Sequence, residues 1–261
     1  MIKQKLKSPL KDKPLRNPGE SLDKMIINIR DNEVSDCILL SAFSIFWAAL
    51  EWIHWYQKAP PMPWLVSSIA LIVVVYSTVK LIHIRKKLKA LRQGRDGEKA
   101  VGQYLENLRE NGAKVFHDIP GDNFNLDHVV ICKSGLYVIE TKTYSKPDKG
   151  EAKALFNGET LSFNGKNETN KPVIQVRAAS NWLKELIEQS TGHKYMIKSV
   201  ILFPGWFIET TYEAKASDVW VLNPKGLPTF ISNSKVQLSD EQVKLVAFHL
   251  SRYIRNFEDK I

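Results

Sequence analysis

The sequence predicts an α/β (α+β) protein, a mixed central sheet flanked by helices and preceded by a two-helix transmembrane hairpin. Three observations predict it. Two apolar runs of about 20 residues, the length that spans a bilayer as a helix, lie in the first third of the chain. Beyond them, apolar residues recur at helical spacing in three separated segments. Between those segments stand short apolar runs rich in Val, Ile, Phe and Tyr, bounded by Gly, Asn and Lys-Ser turns. Helix, three strands, helix and further strands in that order describe a sheet with helices packed on it.

Residues 1–36, with "KSPLKDKPLRNPGES", read as a flexible cytoplasmic tail. Residues 37–56, "CILLSAFSIFWAALEWIHWY", and 63–84, "PWLVSSIALIVVVYSTVKLIHI", are the two expected spans, and a signal peptide is not expected, because a polar stretch of 36 residues precedes the first of them. Trp52, Trp55, Tyr56 and Trp64 gather at the connecting turn as an interface belt. Residues 85–95, "RKKLKALRQGR", form a basic juxtamembrane linker. With Lys3, Lys5, Lys7, Lys11 and Lys13 on the same side and only Lys58 in the loop, both termini are expected in the cytoplasm and the protein in the cell membrane. Glu51 and Lys80 fall near span ends, where they reach the interface. Small residues on the first span (Ser41, Ala42, Ser44, Ala48, Ala49) offer a packing face to a membrane-protein partner or a second copy.

The net charge of +9 suggests a nucleic-acid footprint, but its distribution argues otherwise. Residues 80–95 hold 7 basic side chains and no acid, whereas residues 96–261 hold 21 of each. The excess therefore belongs to the membrane flank, and basicity alone does not argue for nucleic-acid binding. The two cysteines, Cys37 and Cys132, are far apart, which excludes a disulfide framework and a zinc site.

Residues 96–261 form the globular part. "GRDGEKAVGQYLENLRENG" is a helix whose stripe is Val101, Tyr104, Leu105 and Leu108, with Glu98 three residues ahead on the same face. "AKVFHDI", "LDHVVIC" and "LYVIETKTY" are strands, the last two a hairpin across "KSG". A second hairpin is expected around Asn157-Gly158. "KPVIQVRAASNWLKELIEQ" is a helix with Pro172 in its first turn and Gln175 on its buried stripe. "IKSVILF" and "DVWVLN" are later strands, and Ser239 with Gln242 caps a last helix.

Charges at the end of an apolar strand need partners. Glu140 and Lys142 share a strand face, and Asp127 opens the strand paired with theirs, so all three meet at one sheet edge. Glu98 and Gln175 approach from flanking helices. Carboxylates without a His/Cys cluster suit a hard cation, Mg²⁺ (or Mn²⁺). A lysine in the same volume can steer a water nucleophile or stabilise developing negative charge. His128 points to the other sheet face, and it and His117 read as packed side chains. Trp182, Trp206, Phe207 and Trp220 read as core, with base stacking as their alternative use.

Gly97-Glu98, "NLDHVVI", "IETK" and Gln175 together resemble the NERD (nuclease-related) domain of the PD-(D/E)XK nuclease superfamily, over about residues 94–186. Leu126 departs from the proline that precedes the aspartate in the superfamily motif. The resemblance implies a restriction-endonuclease-like core. It implies that Asp127 and Glu140 hold a metal with Glu98 completing the site, that Lys142 assists the nucleophile or transition state, and that Gln175 orients the group. The expected function is a membrane-anchored, cytoplasm-facing, metal-dependent nuclease that hydrolyses phosphodiester bonds, with DNA as the expected nucleic acid. The alternative is a non-catalytic nucleic-acid-binding, sensor or scaffold module on the same fold. Residues 190–261 carry no motif.

Overall fold

A run such as Val129–Ile131 paired with Leu136–Ile139 is apolar on both faces, so both faces of the sheet that holds it must be covered. A computed structural model describes residues 14–57, 62–147 and 150–258. Ser21–Arg95 form one compact unit, and Asp96 onward forms another together with the described residues up to Glu20.

In the first unit, α1 (Glu20–Asn28) runs through a π-helical turn (Ile29–Val34) into α2 (Ser35–Tyr56). The next helix, α3 (Pro63–Glu106), begins in this unit. Glu20–Tyr56 and Pro63–Asn111 are long and apolar enough to cross a membrane by length and composition. Phe43, Trp47, Leu71 and Ile72 point outward. The Trp52 indole N–H donates to Ser67 Oγ at 3.0 Å, and its ring meets that of Trp64 edge-on at 5.3 Å.

Two expectations change here. Residues 20–36 are helical rather than part of a flexible tail, because "ESLDKMIIN" after Gly19 is free of Gly and Pro. Residues 85–95 are no separate linker but the middle of α3, where Lys, Leu, Ala and Arg favour helix strongly enough to carry Gly94 and Gly97. The lysines before Pro14, and Lys58, lie outside the described residues.

In the second unit, a 3₁₀ turn (Asn107–Asn111) ends α3, and Gly112 turns the chain at φ +82°. The strands that follow are β1 (Lys114–Pro120), β2 (Asn125–Cys132), β3 (Gly135–Thr141), β4 (Lys153–Phe156), β5 (Leu161–Phe163) and β6 (Lys166–Thr169). Then come α4 (Lys171–Thr191), β7 (Ile197–Leu202), β8 (Phe207–Thr210), β9 (Val219–Leu222), α5 (Leu227–Ser232) and α6 (Asp240–Glu258). The main sheet has the order β1-β2-β3-β7-β9. Its first three strands are antiparallel, and β3, β7 and β9 run parallel. Val176 and Leu183 of α4 and Val246 and Leu250 of α6 pack on one face, against Val129, Ile131, Leu136 and Val138. Val101 and Leu105 of α3 and Leu227 and Ile231 of α5 pack on the other, against Val130, Tyr137 and Ile139. The fold is therefore the expected mixed α/β arrangement. The capping box of α6 is present: Ser239 N–H donates to Gln242 Oε1 at 2.9 Å, and Gln242 N–H to Ser239 Oγ at 3.3 Å. A second sheet, ordered β6-β5-β4-β8, has no counterpart in the sequence reading beyond its β4–β5 hairpin. Its strands are short, and β4 takes as parallel partner β8, far along the chain.

Candidate active site

The β2–β3 register decides what Glu140 and Lys142 face. His128 pairs with Ile139, so the next pair along the ladder sets Asp127 directly across from Glu140 on one face. The Thr141 backbone N–H donates to Asp127 Oδ2 at 2.7 Å, which fixes that carboxylate at the strand end. Lys142 lies just beyond β3, its own N–H bonded to Leu202 O of β7 at 2.9 Å. Its ammonium donates to Glu140 Oε1 at 2.6 Å and to Gln175 Oε1 at 2.8 Å. Gln175 Nε2 donates to the same Glu140 oxygen at 2.7 Å, so the three side chains close a triangle. Gln175 reaches it from the second turn of α4, on the exposed side of that helix and not on the buried stripe expected for it, which is made by Pro172, Val173, Val176, Ala179 and Leu183.

Glu98 comes from α3, on the other face of the sheet, and is 9% exposed. Gly97 is what lets that helix press onto the end of β3. A Cβ there would stand 1.9 Å from Thr143 Cγ2, far inside contact distance. Gly97→Ala is thus expected to push α3 away at an overpacking cost of about 1–3 kcal/mol. A thermal melt showing an unchanged midpoint would contradict this packing.

The electrostatics are those of an anionic cluster. Burial first, then Asp118 and Glu140, push the Glu98 carboxyl up to about 8. Burial, then Glu140 and Glu98, hold Asp127 well above the usual carboxylate range. Burial raises Glu140 while Lys142 pulls against it. Burial works against the Lys142 ammonium, but Glu140 and Asp127 outweigh it and raise its pKa. Each carboxylate thus repels its neighbours, and a cation would relieve them together.

Three contributors, Asp118, Arg16 and Gly19, are not marked by the sequence. Asp118 stands across β1–β2 from Asp127, between the pairs His117–His128 and Ile119–Leu126. It is 2% exposed and takes φ +50°, a left-handed conformation that a non-glycine residue seldom adopts. Asn125 Nδ2 donates to its Oδ1 at 3.1 Å, and Arg16 Nη1 reaches its Oδ2 at 3.4 Å. Arg16 and Gly19, whose backbone N–H bonds Glu98, belong to the segment ahead of α1. Leu15 packs on the core and Pro18 against Gly102, so residues 15–19 serve the site rather than a free tail. No local signal marks Asp118, because its role depends on the pairing of β1 with β2.

His128 occupies the opposite face, as expected from strand parity, and forms a buried relay. Burial pushes the Glu106 carboxyl up, but Arg109 and His117 together bring it below its ordinary value. An ionised Glu106 accepts from His117 Nε2–H at 2.8 Å. His117 Nδ1 is then an acceptor, and His128 Nδ1–H donates to it at 2.8 Å. His128 Nε2 remains a buried nitrogen with no hydrogen-bond partner among the described residues. Burial lowers the pKa of both imidazoles. The unfolded chain takes up these protons around its ordinary value of 6.5, and the folded one does not, so this pair's contribution to stability is lost as pH falls through that value. Glu98 has the opposite sign, its contribution being lost as pH rises from 4.5 towards about 8. The readout is therefore a difference. The stability of His128→Phe relative to the parent protein should rise as pH falls from ~7 to ~5. A pH-independent difference would contradict the neutral-pair assignment.

Among the described residues, no three His, Cys, Asp or Glu side chains form a ready-made metal cage. The donor set is nonetheless all oxygen, and Mg²⁺ is commonly held by one or two carboxylates with waters completing its shell. The facing pair Asp127 and Glu140 suits that chemistry, with Glu98 beside them.

Residues 93–204 match the family model of the nuclease-related domain, NERD. That stretch contains Glu98, Asp127, Glu140, Lys142 and Gln175. An uncharacterized protein of Bacillus anthracis is 30% identical over 123 residues, which are 45% of this chain and 58% of that protein. This chain thus spans little more than half of that relative's length. The structure of Pyrococcus furiosus SfsA in complex with Ca²⁺ is similar over 49% of this chain and 54% of its own, at 20% identity and a TM-score of 0.25.

Proposed function

We propose that this protein is a membrane-anchored, metal-dependent nuclease that hydrolyses phosphodiester bonds, with DNA as the expected substrate. The observation that carries the proposal is the juxtaposition of Asp127 with Glu140 at one strand end, Lys142 and Gln175 closing on the same carboxylate. Asp127 and Glu140 would hold Mg²⁺ or Mn²⁺, with Glu98 as third carboxylate. Bound there, the cation would supply an activated water and offset phosphate charge. Lys142 orients the attacking water or donates to the phosphate oxygens as negative charge develops on them. Gln175, bonded to both Glu140 and Lys142, keeps the two side chains in register. Apolar helices α2 and α3 support anchorage in a bilayer, and the basic residues 85–95 support a cytoplasmic placement of the catalytic unit.

A second reading has its own support. Lys142 lies on Glu140 at 2.6 Å, and a non-catalytic nucleic-acid-binding, sensor or scaffold module could keep that ion pair for structure alone. Purified full-length protein in detergent, assayed with Mg²⁺ and Mn²⁺ against DNA and RNA, separates the two. Metal-dependent cleavage supports the nuclease, and its absence on every nucleic acid favours the module.

A further inference from the structure

Ligand sites in sheets with parallel strands gather beyond the strands' carboxyl ends. Strands β3, β7 and β9 are parallel, so the segments that leave them share one edge. Glu140 and Lys142 lie at that end of β3. The chain leaving β7 is Pro204-Gly205-Trp206-Phe207, and that leaving β9 is Asn223-Pro224-Lys225. Between these segments and the flank of α3 runs a groove of about 750 Å³. It is stitched to the candidate site: Trp206 Nε1–H donates to Tyr144 O, two residues past Lys142, at 3.2 Å, and Asn223 Nδ2 donates to Trp206 O at 3.0 Å.

The lining is unusual for a surface left in water. Phe207 is 60% exposed, Phe230 44% and Tyr104 41%. Three ring side chains thus stand open around one groove. Cations accompany them. The Lys225 side chain is exposed in the lining and Lys146 lies against Gly205, while the Lys153 ammonium, itself paired with Glu151 and Glu209, stands 5.7 Å from the centre of the Phe207 ring. Of the four aromatic residues that the sequence offers for stacking, three are engaged elsewhere. Trp206 is buried, Trp182 packs on Phe124 and Tyr253, and Trp220 packs on Tyr137 and Phe230. Phe207 is left, and the fold adds Tyr104, together with Phe230, whose ring packs on Trp220 but stays 44% exposed.

We infer that this groove takes the unpaired bases of a nucleic-acid strand whose phosphate lies at the carboxylate–lysine site, so that the substrate class is single-stranded or locally unpaired nucleic acid. The inference rests on the nuclease reading for what happens at that phosphate. Exposed rings interleaved with lysines suit bases whose faces are free. A duplex hides those faces and offers mainly its phosphates, which call for a strongly basic surface. Residues 96–261, with 21 basic and 21 acidic side chains, are balanced in charge, so stacking has to supply the affinity that net charge does not.

The test is fluorescence anisotropy on the full-length protein in detergent, with a chelator present so that binding is read apart from hydrolysis. The probes are one labelled oligonucleotide as a single strand and the same sequence as a duplex. The single strand should bind more tightly. Phe207→Ala and Tyr104→Ala should each weaken it by ~5- to 100-fold and leave duplex binding unchanged. Both side chains are exposed, so neither substitution opens a core cavity. Equal affinity for the two probes, or variants that bind the single strand like the parent, would overturn the inference. Binding that depends on Phe207 and Tyr104 without cleavage under Mg²⁺ or Mn²⁺ would uphold the groove and remove the nuclease reading. Metal-dependent cleavage indifferent to both substitutions would uphold the nuclease and remove the groove.

Discussion

Lys142→Ala is expected to lower phosphodiester hydrolysis by ~10²–10³ while the protein stays folded and still binds metal. The side chain is 20% exposed at the end of β3, so its loss leaves no large cavity. Glu140 keeps its hydrogen bond from Gln175, so its carboxylate stays in place. An ammonium cannot ligate a cation, so metal affinity should change little. Single-turnover cleavage beside a metal-binding isotherm checks both halves. Full activity in the variant would leave Lys142 with only an ion-pairing role.

Glu140→Ala is expected to do more. It removes the acceptor shared by Lys142 and Gln175, takes away one of the two facing carboxylates, and leaves the Lys142 cation half-buried beside Asp127. Metal affinity and rate should fall together, and calorimetry with Mg²⁺ should show weakened or lost binding. Because the residues act as a unit, the double variant with Lys142→Ala should be little worse than Glu140→Ala alone. Losses that multiply would show that the two side chains work independently.

Where the sequence was legible, period and register explain why. A strand repeats every two residues, so Glu140 and Lys142 had to share a face, while the register that sets Asp127 across from Glu140 comes from a turn of two residues, Lys133-Ser134, with Gly135 paired to Cys132, one residue shorter than the expected "KSG". Helical spacing likewise put Glu98 on a core-facing stripe, whereas Gln175 stands on the exposed side of α4 and reaches the strand end from there. What stayed hidden depends on long-range pairing. Asp118 acquires its place only when β1 docks on β2, and Arg16 only when the segment ahead of α1 packs on the core. The second sheet needs β4 to find β8, and no local pattern announces that. The polar composition of residues 14–19 resembles that of a solvated tail, so the few contacts of Leu15, Arg16, Pro18 and Gly19 are invisible before folding.

Metal-dependent hydrolysis is the activity proposed for the carboxylate cluster where β2 begins and β3 ends. Its most direct test is a Mg²⁺ titration of cleavage by full-length protein, with Lys142→Ala run in parallel on the same nucleic acid. Cleavage should be absent in chelator, saturate with Mg²⁺, and drop by ~10²–10³ in the variant. Cleavage unaffected by chelator, or equal in the two proteins, would contradict it.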